Sequence, residues 1–420
     1  MRQNPLTWLV FRMASLRRLL PTAHTAHPPQ GVAALGRIAA LTVLSIGVAT
    51  VGAGAAGSSP PLSIKRVAPT PVAYPPSYFT GPLGRRNLLP ARPGVLLIDM
   101  WGGTGVTRNQ FRSAIAAREG VMGRRFDGLH IHYGGEGTFR GLKKCVAPDR
   151  IRDRDLQWVH DTGHLALVSW SPDRSMADVN AGLVDACFRV VARHLKSFRF
   201  PVMLRLWWEF DGSWTPWSGT GRPFVRAWRR VVGIFSKAGA NNVGFWWCPN
   251  ERARTAAQSP AIDSSYPGDA YVDWVGADIY NWETVGGGGY STPLHPGWAE
   301  FWELFDYVGQ GADGTRYSSM HDAYGARKPF VIGETGTVYD PNATSTKKGD
   351  WFRDIPRAAR SMEYLRGISF YDADVSAVEG ERSNFRVDFP TSIPDVYDGF
   401  KQMAMDPWMN TNSWSIALRD

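Results

Sequence analysis

From Pro90 onward the chain alternates short apolar runs with longer stretches of helical periodicity, and this alternation constrains the fold more than any other feature of the sequence. Eight strand candidates can be marked, at residues 95–101, 128–133, 165–171, 202–208, 243–248, 274–280, 330–334 and 367–371. Between them lie amphipathic stretches such as 176–197, with Val179, Leu183, Ala186, Cys187, Val190, Val191 and Leu195 in a helical pattern, and 223–237. Eight strands with intervening helices over about 310 residues match the count and size of an α/β (β/α)8 TIM barrel. An open doubly wound sheet would need a Gly-rich phosphate turn after its first strand. The candidate, Gly102-Gly103-Thr104-Gly105, lacks the G-x-G-x-x-G spacing, and no acidic residue follows a second strand at the expected distance.

The residues before this pattern have a different character. Residues 1–55 hold Arg2, Arg12, Arg17, Arg18 and Arg37 and no acidic residue, whereas residues 38–57 carry no charge and end in a small-residue run containing Ala53-Gly54-Ala55. This is the layout of an export signal with an A-x-A cleavage site, or of an uncleaved membrane anchor. Either places the rest of the chain outside the cytoplasmic membrane, secreted or held on its outer face. Residues 56–92, rich in Ser and Pro, read as a semi-rigid linker, 93–405 as the barrel, and 406–420 as a C-terminal tail. The N-terminus also explains most of the charge. Of a formal +9, five arginines belong to residues 1–55, leaving 42 basic against 38 acidic residues in the rest. With Lys143-Lys144 and Lys347-Lys348 as isolated pairs, no basic stripe marks a nucleic-acid partner.

The three cysteines, Cys145, Cys187 and Cys248, lack C-x-x-C spacing, which argues against a structural zinc site or a thioredoxin motif. In an exported protein one disulfide is open, with Cys145–Cys187 the favoured pair, although spacing does not fix it. Cys248 has no basic sequence neighbour to lower its pKa and reads as a packed thiol.

Active sites of (β/α)8 barrels lie at the C-terminal ends of the strands. Here seven of the eight ends carry an aromatic residue, and two carry a glutamate: Glu209 on the fourth and Glu334 on the seventh. Eighteen tryptophans in the chain suit stacking on sugar rings, although a Trp-rich core would show the same count. Glycoside hydrolysis needs two carboxyl groups across the scissile bond, one protonated and one ionised. Strands four and seven of such a barrel face each other. Alternation along the fourth strand puts Arg205, Trp207 and Glu209 on one face. Arg205 could then keep Glu334 ionised, while aromatic enclosure raises the pKa of Glu209; a structural ion pair filling the barrel is the alternative for Arg205. Tyr280, at the end of the sixth strand, is a candidate donor to Glu334.

His130 and His132 share a strand face and raise the question of a metal-dependent hydrolase. The fifth and sixth strands offer no histidine, and His160 and His164 do not form H-E-x-x-H. The pair reads as polar lining or barrel filling, with no metal or other cofactor required.

Four segments carry a family likeness: residues 201–217 (PVMLRLWWEFDGSWTPW), 242–250 (NVGFWWCPN), 266–282 (YPGDAYVDWVGADIYNW) and 328–336 (KPFVIGETG). In this order they resemble glycoside hydrolase family 26, best known for β-1,4-mannanases. The resemblance implies a retaining endo-β-glycanase on a TIM barrel, with Glu209 matching the acid/base and Glu334 the nucleophile. It further implies that Tyr280 contacts the nucleophile, that Arg205 is the arginine four residues before the acid/base, and that Trp214 lies near the sugar subsites. One position departs. Characterised mannanases of the family usually have His immediately before the acid/base, and here that residue is Trp208.

The expectation is therefore an enzyme, a retaining endo-β-1,4-mannanase, with a β-glucanase or β-xylanase of the same family as alternatives and a catalytically inactive polysaccharide-binding protein as the rival class. Trp170, Trp208, Trp214, Trp217 and Trp282 are the expected sugar-binding aromatics, and the glycine run 286–289 either rims the cleft or forms a loose surface turn. The expected partners are a polysaccharide or oligosaccharide substrate and, through residues 38–57, a membrane tether; the protein is expected to be a monomer.

Overall fold

The computed structural model describes residues 74–91, 93–101, 108–133, 153–251, 259–282, 298–305, 308–310, 316–339, 347–374, 384–388, 390–409 and 414–418. The expected signal or anchor, most of the expected linker, Cys145 and the glycine run 286–289 lie outside these residues.

Eight parallel strands close into a barrel in chain order: β1 (Leu96–Trp101), β2 (Gly128–Tyr133), β3 (Leu165–Trp170), β4 (Val202–Leu206), β5 (Val243–Trp247), β6 (Trp274–Val275), β7 (Phe330–Thr335) and β8 (Leu365–Tyr371). Each overlaps its expected position. β6 is the exception in length, with two residues where seven were expected; beyond Val275 the chain continues through isolated bridges, Asn250 to Asp278 and Asp278 to Glu334. Alternation divides the strand side chains between two cores. Leu96, Ile98, Leu165, Leu167, Met203, Trp246, Trp274 and Val331 fill the barrel interior. Leu97, Leu129, Val168, Leu204, Phe245 and Ile332 face the helices.

The principal helices are α1 (Arg108–Met122), α2 (Asp153–Asp161), α3 (Asp185–Ser197), α4 (Arg222–Ala238), α5 (Lys347–Ser361) and α6 (Pro394–Met405). In α4, Pro223 stands in the first turn and Gly239 takes the left-handed C-terminal position at φ 71°. Its buried face, Phe224, Ala227, Trp228, Val231, Val232 and Phe235, has the three- and four-residue spacing of a helix laid on a sheet. Each of its larger fully buried side chains stabilises the fold by about 1.5–3 kcal/mol. The stretch 176–197 is two helices rather than one. Gly182, at φ 78°, ends the turn after Met176–Asn180 and lets α3 start afresh at Asp185.

The ends of the domain differ from expectation. Part of the expected linker belongs to the fold, because Tyr78, Asn87, Leu88 and Leu89 are buried and Arg86–Pro90 forms a strand. That strand pairs antiparallel with Trp414–Leu418, which lies in the expected tail. Leu83, Leu88 and Trp414 pack with the inner core at the N-terminal end of the barrel, and Trp274 Nε1 donates to Asn87 Oδ1 at 2.9 Å. Proline density suggested a spacer here, but the buried apolar residues between the prolines cap the barrel floor.

Candidate active site

The site begins where β4 stops being a strand. Met203 and Arg205 point inward, as alternation requires, but Trp207 (φ 53°) and Glu209 (φ 50°) both take left-handed backbone conformations. Such conformations cost on the order of 1–3 kcal/mol per residue and persist where the surroundings hold them. Here Glu209 N donates to Cys248 O of the neighbouring strand end at 3.1 Å, and Gly212 N to Glu209 O at 2.9 Å. The kink corrects one expectation. Trp207 does not share the inner face with Arg205; its indole is fully buried among Phe188, Phe224 and Trp228 of the helix layer.

Glu334 on β7 is held from two sides. Arg205 Nη1 donates to its Oε1 at 2.6 Å, and the Tyr280 hydroxyl donates to its Oε2. Arg205 is fully buried and also donates from Nη2 to Asp278 Oδ2 and from Nη1 to Ser169 Oγ at 3.2 Å. Burial, and then the Glu334 charge, push the Tyr280 phenol well above its usual range, so it keeps its proton and remains a donor. Arg205 thus joins two carboxylates through charge-assisted hydrogen bonds.

Glu209 is treated differently. Its Oε2 accepts from Trp214 Nε1 at 2.7 Å. Burial raises its pKa to about 7, the Glu334 charge adds to the rise, and Arg205 and Trp214 oppose it. One carboxyl is therefore clamped by donors while the other tends to keep a proton near neutrality, the asymmetry that acid-assisted glycoside cleavage requires.

The five expected sugar-binding tryptophans separate. Trp214 is 38% exposed beside Glu209, and half-buried Trp282 contacts Tyr280 and Phe385 with centroids 5.8 and 4.8 Å away. Trp208 and Trp217 are almost wholly buried, with ring centroids 4.4 Å apart and Trp217 Nε1 donating to Trp208 O at 2.9 Å. They form wall rather than an open stacking face. Trp170 is corrected outright: Ser169 takes the inward position on β3, so Trp170 points outward, fully buried, with its ring against Phe188 of α3.

His130 fills the barrel, bonded through Nδ1 to Ser369 Oγ at 3.0 Å and through Nε2 to Ser169 Oγ at 2.7 Å. His132 lies edge-on to Trp208 at 4.3 Å, and burial brings its pKa down to about 4, leaving it neutral. Among the described residues no group of three or more His, Cys, Asp or Glu side chains is placed to hold a metal ion. Cys187 is disulfide-bonded, and Cys248 is a free, buried thiol.

Sequence reading missed Asp278, Ser169 and Phe385 as members of the site. Asp278 stood in a quoted motif two residues before Tyr280, so its place at the strand end was a usable signal. Phe385 lies in no predicted strand, and its approach to Tyr280, 4.9 Å between ring centroids, is a tertiary fact.

Residues 169–349 match the family model described as Glycosyl hydrolase family 26. The protein named Endoglucanase H, from Acetivibrio thermocellus, is 26% identical over 319 residues, which cover 73% of this chain and 30% of that relative's length. Among solved structures, a GH26 β-mannanase from Bacteroides ovatus superposes with a TM-score of 0.49 at 16% identity, covering 79% of this chain and 93% of that one. The catalytic domain of a GH26 endo-β-1,4-mannanase from Bacillus sp. JAMB-750 gives a TM-score of 0.49 at 14% identity, covering 75% and 87%. The family match runs from Ser169 on β3 to Gly349 on α5, with Arg205, Glu209, Asp278, Tyr280 and Glu334 all inside it. The likeness seen in the four sequence segments is thereby borne out: residues 169–349, which hold these side chains, are similar to glycoside hydrolase family 26, and the chain spans 30% of the length of the curated relative it matches.

Proposed function

We propose that this protein is a glycoside hydrolase, a retaining endo-β-1,4-mannanase in which Glu334 is the nucleophile and Glu209 the acid/base. The observation that carries the reading is the unequal setting of the two carboxyls: Glu334 accepts from Arg205 and Tyr280, whereas Glu209 is pushed up to about 7. Glu334 attacks the anomeric carbon as Glu209 gives its proton to the leaving oxygen, forming a glycosyl ester. Glu209, now ionised, takes a proton from water, whose oxygen attacks the same carbon and releases the sugar with its configuration kept. Arg205 and Tyr280 orient the attacking carboxylate, and Trp214 and Trp282 supply aromatic faces to the sugar rings. Mannan as substrate rests on the motif resemblance. An N-terminal export signal or anchor places such an enzyme where polysaccharide is found.

A second reading, β-glucan as substrate, draws on the relative named Endoglucanase H and on Trp208, which stands where mannanases of the family usually have His. Hydrolysis of defined manno-, gluco- and xylo-oligosaccharides, with the product anomer followed by proton NMR, tests both. Initial release of the β-anomer with loss of cleavage in Glu334→Gln is expected. Release of the α-anomer, or cleavage that survives the substitution, excludes the mechanism. Binding without cleavage of any glycan would favour an inactive binder.

A further inference from the structure

Arg205 can serve Glu334 through Nη1 because its other terminal nitrogen is occupied by Asp278, and Asp278 is itself held by a side chain that the proposed reaction does not use. The Cys248 thiol, at the end of β5, donates to Asp278 Oδ1 at 3.2 Å, while Asp278 Oδ2 takes Arg205 Nη2. Burial pushes the thiol up to about 12, so it stays protonated and acts as a donor rather than as a thiolate. The backbone around Asp278 is fixed on both sides: its N–H goes to Pro249 O at 3.1 Å, and Ile279 N donates to Glu334 O at 3.2 Å. What remains free to turn is the carboxylate plane.

Gly333 shows how closely these groups converge. A Cβ on that residue would sit 2.4 Å from Asp278 Oδ1, 2.4 Å from Cys248 Sγ and 3.0 Å from Arg205 Nε. Three side chains from three strand ends therefore meet over the one residue that precedes Glu334, and the thiol is the member that separates the two carboxylate oxygens by role.

We propose that Cys248 is a positioning residue for the nucleophile, acting through Asp278 and Arg205; the inference rests on Glu334 being that nucleophile. Its S–H occupies Oδ1, so Asp278 offers Arg205 one oxygen and leaves Nη1 to Glu334. Without that donor, a buried Oδ1 is unsatisfied, and the carboxylate turns to present both oxygens to the guanidinium. Arg205 Nε, buried without a partner beside that oxygen, takes it, and the guanidinium turns to meet Asp278 side-on through Nε and Nη2, which moves Nη1 away from Glu334.

The test compares Cys248→Ala and Cys248→Ser with wild type. Alanine removes the donor; serine restores an O–H at the same atom. For Cys248→Ala, kcat falls on the order of fivefold, the size of one hydrogen bond. KM stays within about twofold, because no group on the substrate side of Glu334 is altered. The acid limb of the pH–rate profile moves to higher pH, and serine brings both back toward wild type. Alanine and serine variants that lose thermal stability but keep the wild-type acid limb and kcat would overturn the inference. Crystal structures of both variants decide the matter without turnover: loss of the Arg205–Glu334 contact in Cys248→Ala supports it, and retention refutes it. A wild type that cleaves no glycan would instead sink the proposed reaction, leaving the crystallographic answer intact.

Discussion

Trp214 donates its indole N–H to Glu209 Oε2 at 2.7 Å, so the exposed tryptophan of the site is tied to the carboxyl that tends to keep its proton. A donor to a carboxylate favours the ionised form. Trp214→Phe keeps an aromatic face and removes the donor, so the pKa of Glu209 rises further. The alkaline limb of the pH–rate profile should then move to higher pH, by up to about one unit, with KM little changed. Trp214→Ala should move the same limb and also raise KM on oligosaccharides, since the stacking face is lost. A limb that stays in place in both variants would show that the bond does not govern Glu209.

The raised pKa of Glu209 also links stability to pH. Its folded-state value of about 7 exceeds the usual 4.5, so the folded protein binds more protons than the unfolded chain between these limits. The contribution to stability is complete below pH 4.5 and is lost as pH rises through 7. Glu209→Gln carries no such dependence. The melting temperature of this variant relative to wild type should therefore climb from pH 4.5 to about pH 7.5 and then level off, as measured by calorimetry across the range. A constant difference would mean that Glu209 titrates alike in both states.

Gly333 immediately precedes Glu334 on β7 and leaves no room for a side chain. Gly333→Ala places a methyl group 2.4 Å from both Asp278 Oδ1 and Cys248 Sγ. Overpacking of this kind costs typically about 1–3 kcal/mol. Because the displaced groups are those that hold Arg205, kcat should fall by more than the loss of stability alone would suggest. Steady-state kinetics well below the melting temperature separate the two effects. Wild-type kcat in a folded Gly333→Ala variant would show that the packing around Arg205 is not coupled to turnover.

The barrel was legible because short apolar runs alternate with longer helical stretches, and the eight strands lie where those runs were marked. The two carboxyls were legible as glutamates at strand tips. What local pattern could not show is where alternation fails. Trp207 follows Arg205 by two residues and should share its face, yet a positive φ turns it into the helix layer. Trp170 looked like a cleft residue because it ends a strand, but Ser169 holds the inward position there. Asp278 was in view without a role, because its meaning comes from Arg205, 73 residues away in the chain. The domain ends were misread for a related reason: proline marks stiffness, and stiff segments can line a floor as readily as a linker.

That floor supplies the last prediction. The strand Trp414–Leu418 pairs with Arg86–Pro90, and the segment leading to it is tied to the barrel wall. Val95 N donates to Trp408 O at 2.9 Å, Arg124 Nη1 donates to Met409 O at 2.8 Å, and Met409 is fully buried. Ending the chain after Met405 removes all of these contacts together with Trp414 of the inner core, a loss of about 2–5 kcal/mol. The groups lost surround the N-terminal end of the barrel, whereas Glu209 and Glu334 stand at the C-terminal ends of the strands. Truncation should therefore lower the melting temperature by several degrees while kcat at low temperature stays close to wild type. Calorimetry and low-temperature kinetics on the same preparation check both halves; an unchanged melting temperature would return residues 406–420 to the status of a tail.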